Sequence, residues 1–375
     1  VKVLLVFGTR PEAIKLCPVV RHLRSRPHEF DTRVCVTAQH RGLLDQVLEV
    51  FDVTPDHDLD IMQPGQSLSQ STSRIVAALE PVMRHEQPDM VLVQGDTTTT
   101  LCGALSAFYH RVPVGHIEAG LRTWDLYQPF PEEANRQLAA RLSALHFAAT
   151  EWSAANLRKE GVPGGTIEVT GNTGIDAVLQ VAGDLAAGRL TGFSAAPLDP
   201  SRKLIVVTSH RRESFGDGVV SLCTALRHLA DRPDTQIVFA VHPNPNVRGP
   251  VHERLGSHPH IALIDPVSYV PFVDLMRRAY LLLTDSGGIQ EEGPSLGKPI
   301  LVLREKTERP EAVEAGTVKL VGTGTQRILA EAGVLLDDAA EYDRRSHAHN
   351  PYGDGQASPR IANRMLTWHA ARARA

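Results

Sequence analysis

Cysteine is scarce in this chain: Cys17, Cys35, Cys102 and Cys223 are the four among 375 residues, each in an apolar stretch and none in CxxC spacing. Such a set supports neither a disulfide framework nor a thiolate zinc site, and it fits a reducing cytoplasm. Long apolar runs are missing too, since no stretch approaches the about 18 consecutive apolar residues of a membrane-spanning helix. Nor is there a surplus of one charge: 39 Lys and Arg stand against 43 Asp and Glu, a net −4. That balance gives no field to draw nucleic acid or an acidic membrane, so any basic groups that matter act locally. Neither GxxxxGK[ST] nor a strand-following GxGxxG is present, which removes the main support for P-loop and dinucleotide readings. HExxH and EF-hand patterns are absent as well.

What is present is ordinary globular material, 42% hydrophobic and 22% charged, in a length that predicts two domains. The opening VKVLLVF runs straight into GTRPEAIK, so a buried first strand is expected there and not a signal peptide. Short β-branched runs then alternate with amphipathic stretches. Strands are predicted at 1–7, 33–38, 90–95, 112–118 and 166–171, with helices at 12–25, 43–51, 68–85 and 99–109. After a Gly/Ala/Pro/Ser-rich linker at 183–202, strands restart at 203–209, 235–242, 261–265, 280–286, 299–304 and 318–322. Strands without polar alternation, separated by helices, are parallel and buried on both faces. The expected fold is α/β: two Rossmann-like, doubly wound domains facing across a cleft. We place the domains at 1–172 and 173–358, with a helix at 359–375 completing the first.

Polar residues gather where these strands end, the place where α/β sheets bind ligands. In GTRPEAIK (8–15), Arg10 and Lys15 flank a helix start, which suits an anion; a tight turn with solvated charges is an equal reading. Asp96 in QGDTTTT is either a helix N-cap or a carboxylate available as a base. Glu118 closes an apolar strand, where a carboxylate needs a partner or a task; nearby Arg122 is the expected structural partner. Glu132 and Glu133 in PFPEEANRQ look like a helix first turn, where acidic residues complement the dipole. The coincidence of acidic ends in one domain favours proton transfer on two faces of a carbon. In the second half, Ser286-Gly287-Gly288 follows a strand and opens a helix, a cradle for an anion, with Glu292 one turn on at a reach suited to a ribose diol. His210 and His242 end strands, where a core histidine is the usual reading, but Arg211 and Arg212 beside His210 make a diphosphate-facing cluster.

Taken in order, GTRPEAIK, TAQHR, GDTTTT, HIEAGLRT, PEEANR, TGNTGID, HRRES, DSGGIQEE, ERPEAV and HNPYGDG resemble the bacterial non-hydrolysing UDP-N-acetylglucosamine 2-epimerases, from Val1 to about Gly355. The resemblance implies a fold similar to the GT-B glycosyltransferases, a cytoplasmic homodimer, and no metal or nicotinamide cofactor. It implies reversible interconversion of UDP-GlcNAc and UDP-ManNAc through loss of UDP, a 2-acetamidoglucal, and return of UDP after protonation of C2 from the other face. Asp96, Glu118 and Glu132 match the catalytic carboxylates, and His210 matches the histidine near the departing UDP. Arg10, Lys15, Ser286, Gly287, Gly288, Glu292 and Arg309 match UDP or substrate contacts, and Phe272 matches a residue beside the uracil. A second UDP-GlcNAc acts as activator in the bacterial members, and Gln39, His40, Gln66 and Arg211 fall in the segments implied for it. Two positions depart from the pattern: Trp124 stands where a small or polar residue is usual, and Val267 where a close relative has a polar one.

Overall fold

The computed structural model describes residues 1–37, 41–63, 65–210 and 216–372. They form two compact units, Val1–Ala177 with Tyr352–Ala375, and Val178–Pro351.

In the first unit, β1 (Lys2–Phe7) is apolar without alternation, and Val3 to Phe7 are all fully buried. A strand buried on both faces needs a neighbour on each side and helices above and below. It pairs in parallel with β2 (Asp31–Val36) and β4 (Met90–Gln94). The sheet is completed by β3 (His57–Asp58), β5 (Val114–Ala119), β6 (Leu145–Ala148) and β7 (Ile167–Val169), in the order β3-β2-β1-β4-β5-β6-β7. Its helices include α1 (Arg10–Arg24), α2 (Arg41–Val50), α3 (Leu68–Glu86), α4 (Thr98–Tyr109), α5 (Glu132–Leu142), α6 (Glu151–Lys159) and α7 (Thr173–Ala186), within which the division between the units falls.

The second unit repeats the plan. Its strands are β8 (Lys203–Ser209), β9 (Thr235–Val241), β10 (Ile261–Ile264), β11 (Leu281–Thr284), β12 (Ile300–Val302) and β13 (Val318–Leu320). They are parallel, in the order β10-β9-β8-β11-β12-β13. Helices α8 (Asp217–Ala230), α9 (Pro245–Leu255), α10 (Tyr269–Arg278), α11 (Gly287–Ser295), α12 (Pro310–Glu314), α13 (Thr325–Asp337) and α14 (Ala339–Ser346) flank this sheet. In each sheet the winding reverses between the first and fourth strands, β1/β4 and β8/β11. Such a switch point leaves a crevice beyond the strands' C-terminal ends.

The last helix, α15 (Ala357–Arg372), belongs to the first unit. Asp176 on α7 receives the first-turn amides of Ala357 and Ser358 at 3.2 and 2.8 Å, a carboxylate at a helix N-terminus. Arg26 at the end of α1 reaches Asn363 at 3.0 Å, and Arg360 donates to the Thr170 carbonyl at 3.0 Å. Pro359 lies in the first turn, where its missing N–H costs nothing. Among the described residues no helix is long and apolar enough to cross a membrane.

Candidate active site

Arg10 opens α1 directly beyond β1 and is exposed. The turn beneath it is built by Glu12, which is buried. One oxygen of Glu12 receives the Gly8 and Thr9 amides at 3.0 and 2.8 Å, and the other receives the hydroxyls of Thr97 and Thr100 at 2.6 and 3.3 Å. Burial pushes its carboxyl up, against the pull of those bonds. Glu12 therefore ties the loop after β1 to the loop after β4, across the switch point.

Asp96 sits in that second loop. It is not the helix cap that QGDTTTT suggests: Thr97 caps α4, its Oγ1 receiving the Thr100 amide at 3.1 Å. The Asp96 carboxylate is left to face the site. Its main chain is held, since Asn135 Nδ2 donates to its carbonyl at 3.0 Å. His116 Nε2 lies 2.7 Å from the Gly95 carbonyl, and burial pushes that imidazole down to about 4, so it is neutral. Burial pushes the Asp96 carboxyl up to about 6; Arg136, 3.5 Å away, and Lys15 oppose the rise, while Glu118 and Glu132 add to it.

Glu118 ends β5, the strand beside β4, at a register shift between Ile117 and Ala119. Its φ of 61° is left-handed, a conformation that costs a non-glycine residue about 1–3 kcal/mol. The bulge re-aims the side chain. Lys15 Nζ donates to both its oxygens at 2.7 and 2.6 Å, Asn172 Nδ2 donates at 3.3 Å, and Gln94 Nε2 donates as well. Lys15 is thus held by Glu118. The expected pairing with Arg122 does not form. The left-handed residues Glu118 and Gly120 turn the chain, and Arg122 makes a two-point contact with Glu160 at 2.8 and 2.7 Å instead.

Glu132 and Glu133 do form the first turn of α5, with different fates. Glu132 is half-buried, and its charge is felt at Asp96. Glu133 is fully buried and receives the Thr123 and Trp124 amides at 3.0 and 3.2 Å and Gln137 Nε2 at 2.8 Å. Burial acts to raise its carboxyl, but the contacts with Gln137, Thr123 and Arg136 outweigh it and hold the group below the usual range. Trp124 is left-handed at φ 67°, which accounts for the small residue usual there, and Lys159 Nζ lies 4.4 Å from its ring centroid.

The second unit gathers its polar groups at β8/β11. Asp285, just after β11, is wholly buried. Its Oδ2 receives the His210 amide at 2.8 Å and the Ser209 hydroxyl at 3.3 Å, and its Oδ1 lies 2.8 Å from His210 Nδ1. His210 is 41% exposed and so is not a core histidine. The His242 ring stacks near it, centroids 6.4 Å apart, and its Nδ1 accepts the Asn244 amide at 3.2 Å. Ser286 caps α11 without using its hydroxyl. A Cβ on Gly287 would lie 3.1 Å from Arg309 Cζ, whereas one on Gly288 would meet nothing within 4 Å among the described residues. Arg309 is steered by Glu291 at 2.8 Å and Glu308 at 3.1 Å, so its guanidinium lies against the helix start. Glycine amides, a helix N-terminus and a tethered guanidinium make an anion site.

Glu292, on α11, is half-buried, as are Phe272 on α10 and Val267 just before it. Sequence reasoning missed Tyr269, whose buried hydroxyl has no partner among the described residues; burial and the Glu292 charge push it well above its ordinary range. It also missed Glu12, Gln94, Asn172 and Asp285, although all four lie in the quoted motifs. Gln66 Nε2 donates to the Ile61 carbonyl at 3.0 Å. Gln39, His40 and Arg211 lie outside the described residues.

Comparison with known proteins bears on this arrangement. The family model described as UDP-N-acetylglucosamine 2-epimerase matches residues 21–366. The UDP-N-acetylglucosamine 2-epimerase of Escherichia coli K12 is 58% identical over 365 residues, 96% of this chain and 97% of that protein. A crystal structure of the Neisseria meningitidis UDP-GlcNAc 2-epimerase bound to UDP-GlcNAc superposes with a TM-score of 0.86 at 48% identity, covering 98% of this chain and all 100% of the other. A glycosyltransferase from Streptomyces nogalater, 15% identical with a TM-score of 0.59 over 98% and 99% of the two chains, shares the GT-B-like fold alone. With identity of this order running almost end to end, the chain belongs to the UDP-N-acetylglucosamine 2-epimerase family.

Proposed function

We propose that this protein reversibly epimerises C2 of UDP-GlcNAc to give UDP-ManNAc, without hydrolysis, by eliminating and re-adding UDP through a 2-acetamidoglucal. The observation that carries the reading is a pair of carboxylates with opposed surroundings at the ends of adjacent strands. Glu118 is met by an ammonium and two amide groups, whereas the Asp96 carboxyl is pushed up to about 6. Two carboxyls whose environments differ this way suit different roles in proton transfer. Asp96 is set to exchange a proton near neutral pH, and Glu118 and Glu132 set its charge surroundings or serve the other face.

The C2 proton of the sugar is very weakly acidic, so its loss must be coupled to departure of UDP. Stabilising the leaving diphosphate is then the main electrostatic task. Arg10, His210, His242, Arg309, the Ser286 hydroxyl and the amides of Gly287 and Gly288 serve it, Glu292 takes the ribose diol, and Phe272 lies beside the uracil. Lys15 acts through Glu118. A homodimer in the cytoplasm, and a second UDP-GlcNAc bound as activator near Gln39, His40, Gln66 and Arg211, belong to the same reading. No metal or nicotinamide enters it.

Proton NMR of UDP-GlcNAc incubated with the protein in heavy water tests it. The expected result is UDP-ManNAc carrying deuterium at C2, with recovered UDP-GlcNAc also exchanged. Free ManNAc with UDP would mean hydrolysis, and epimer without deuterium would mean a shielded single base or a redox route; either result overturns the proposal.

A further inference from the structure

Two consecutive residues of α5 hold Asp96. Asn135 Nδ2 donates to its carbonyl at 3.0 Å, and Arg136 Nη2 lies 3.5 Å from its Oδ2 as an ion pair. On the other side Arg136 meets Glu133, Nε to Oε2 at 3.2 Å. The guanidinium is thus stretched between two carboxylates, and only 5% of the side chain is exposed. Its Nε and Nη1 are buried without a hydrogen-bond partner among the described residues. Arg122 in the same unit shows what a structural arginine makes of a carboxylate: a two-point contact with Glu160 at 2.8 and 2.7 Å. Buried donors left unmet cost free energy, so the placement of Arg136 is not the one that stability alone favours. We propose that Arg136 is the positioning residue of Asp96: it holds the carboxylate in place and keeps its charge available for proton exchange at C2, with Glu133 limiting its pull. The proposal rests on the function proposed above, which makes Asp96 the exchanging group.

The charges around Asp96 call for such a residue. Burial pushes its carboxyl up to about 6, and Glu118 at the end of β5 and Glu132 in the first turn of α5 add to the rise. Against them stand Arg136, whose effect is the larger, and Lys15 on α1. Lys15 Nζ is already drawn to both oxygens of Glu118, which leaves Arg136 as the main cation for Asp96. Glu132 and Arg136 lie one turn apart on α5, so a single helix carries both the push and the pull. Glu133 sets the limit. Burial acts to raise its carboxyl, but Gln137, Thr123 and Arg136 hold it below the usual range, so it is ionised and shares the guanidinium's charge with Asp96. An unshared guanidinium would make Asp96 too weak a base for a proton on carbon, and with none the carboxyl would stay largely protonated at neutral pH.

Arg136→Met tests this, since an unbranched, adaptable apolar chain best fills the guanidinium's place. The 13Cγ signal of Asp96, assigned by its loss in Asp96→Asn, is followed against pH in the free protein. Its midpoint, about 6 in the wild type, is expected to rise by about 1–2 pH units in Arg136→Met. In Arg136→Lys, which keeps the charge, it is expected to stay within about half a unit of wild type. The limb of the kcat/KM profile for UDP-GlcNAc that Asp96 sets is expected to move up with the midpoint, a shift that a merely structural arginine would not cause. Glu133→Gln is expected to move the midpoint the opposite way, by about half a unit. A midpoint unmoved or lowered in Arg136→Met, or unmoved or raised in Glu133→Gln, overturns the proposal. Should Arg136→Met fail to fold, Glu133→Gln decides. The midpoint is read without turnover and formation of UDP-ManNAc is scored separately, so failure of the epimerase reading is not mistaken for failure of this one.

Discussion

Replacing Asp96 by Asn should make the protein more stable at neutral pH while removing its turnover. The Asp96 carboxyl has an ordinary value of 3.8 unfolded and about 6 folded. A raised folded value means that the fold prefers the protonated form. The resulting stability is complete below 3.8 and is lost as pH rises through about 6. Above that, the wild type bears the cost of an ionised, largely enclosed carboxylate. A difference from 3.8 to about 6 corresponds to about 3 kcal/mol. The side chain is 31% exposed, so solvent screening reduces this to about 1–2 kcal/mol. Asparagine is neutral at every pH and escapes the cost, and Arg136 keeps Glu133 as a partner at 3.2 Å. Thermal melts over a pH series should show the variant melting about 2–8 °C above wild type at pH above about 7, with the gain vanishing below 3.8. Turnover should fall by about 10²–10⁴ with UDP affinity unchanged. A stability gain equal at all pH, a loss at neutral pH, or near wild-type turnover would refute the reasoning.

Two further substitutions probe the other features. Gly288→Ala adds a methyl that meets nothing within 4 Å among the described residues, so melting should be nearly unchanged while UDP affinity by calorimetry falls about tenfold or more; Gly287→Ala also displaces Arg309. Undiminished UDP affinity in Gly288→Ala would remove the start of α11 from the anion site. Trp124→Gly relieves a left-handed side chain, worth about 1–2 kcal/mol, and forfeits the contact with Lys159, worth about 0.5–1. The net change in stability should stay within about 1 kcal/mol, and a loss beyond about 3 would show that the indole is anchored by something else.

The wound architecture was readable because its strands are continuous apolar runs. KLIVVTS and VKVLLVF have no polar alternation and fall in the middle of their sheets. The strands that were missed lack that pattern: β3 is the dipeptide His57–Asp58 and β6 is the four residues Leu145–Ala148 with a histidine among them. The candidate site was readable as a set of strand ends but not as a set of partners. Glu118 invited a local pairing with Arg122, yet its cation is Lys15, which only the fold of β1 and β5 about β4 brings near. Asp96 was indistinguishable from an N-cap in sequence, since Thr97 beside it caps equally well. Pairings of this kind depend on side-chain direction at a bulge or turn, which periodicity does not encode.

The two units use one device at the same topological point, and it explains how loop ends hold reactive groups still. Beyond β1 and β4, Glu12 joins the Gly8 and Thr9 amides to the Thr97 and Thr100 hydroxyls. Beyond β8 and β11, Asp285 joins the Ser209 hydroxyl and the His210 amide to its own loop. Each is a buried carboxylate that accepts donors from across the switch point, Thr97 and Thr100 for Glu12 and Ser209 and His210 for Asp285. A crevice between diverging strands offers no packing to fix the loops that line it, and main-chain bonds to a carboxylate supply that order instead. Glu12 spends both its oxygens on this structural task, which leaves proton chemistry in its loop to Asp96. Asp285 keeps one oxygen in reach of an imidazole. The same scaffold element thus stands apart from the reactive groups in one unit and borders the His210 ring in the other.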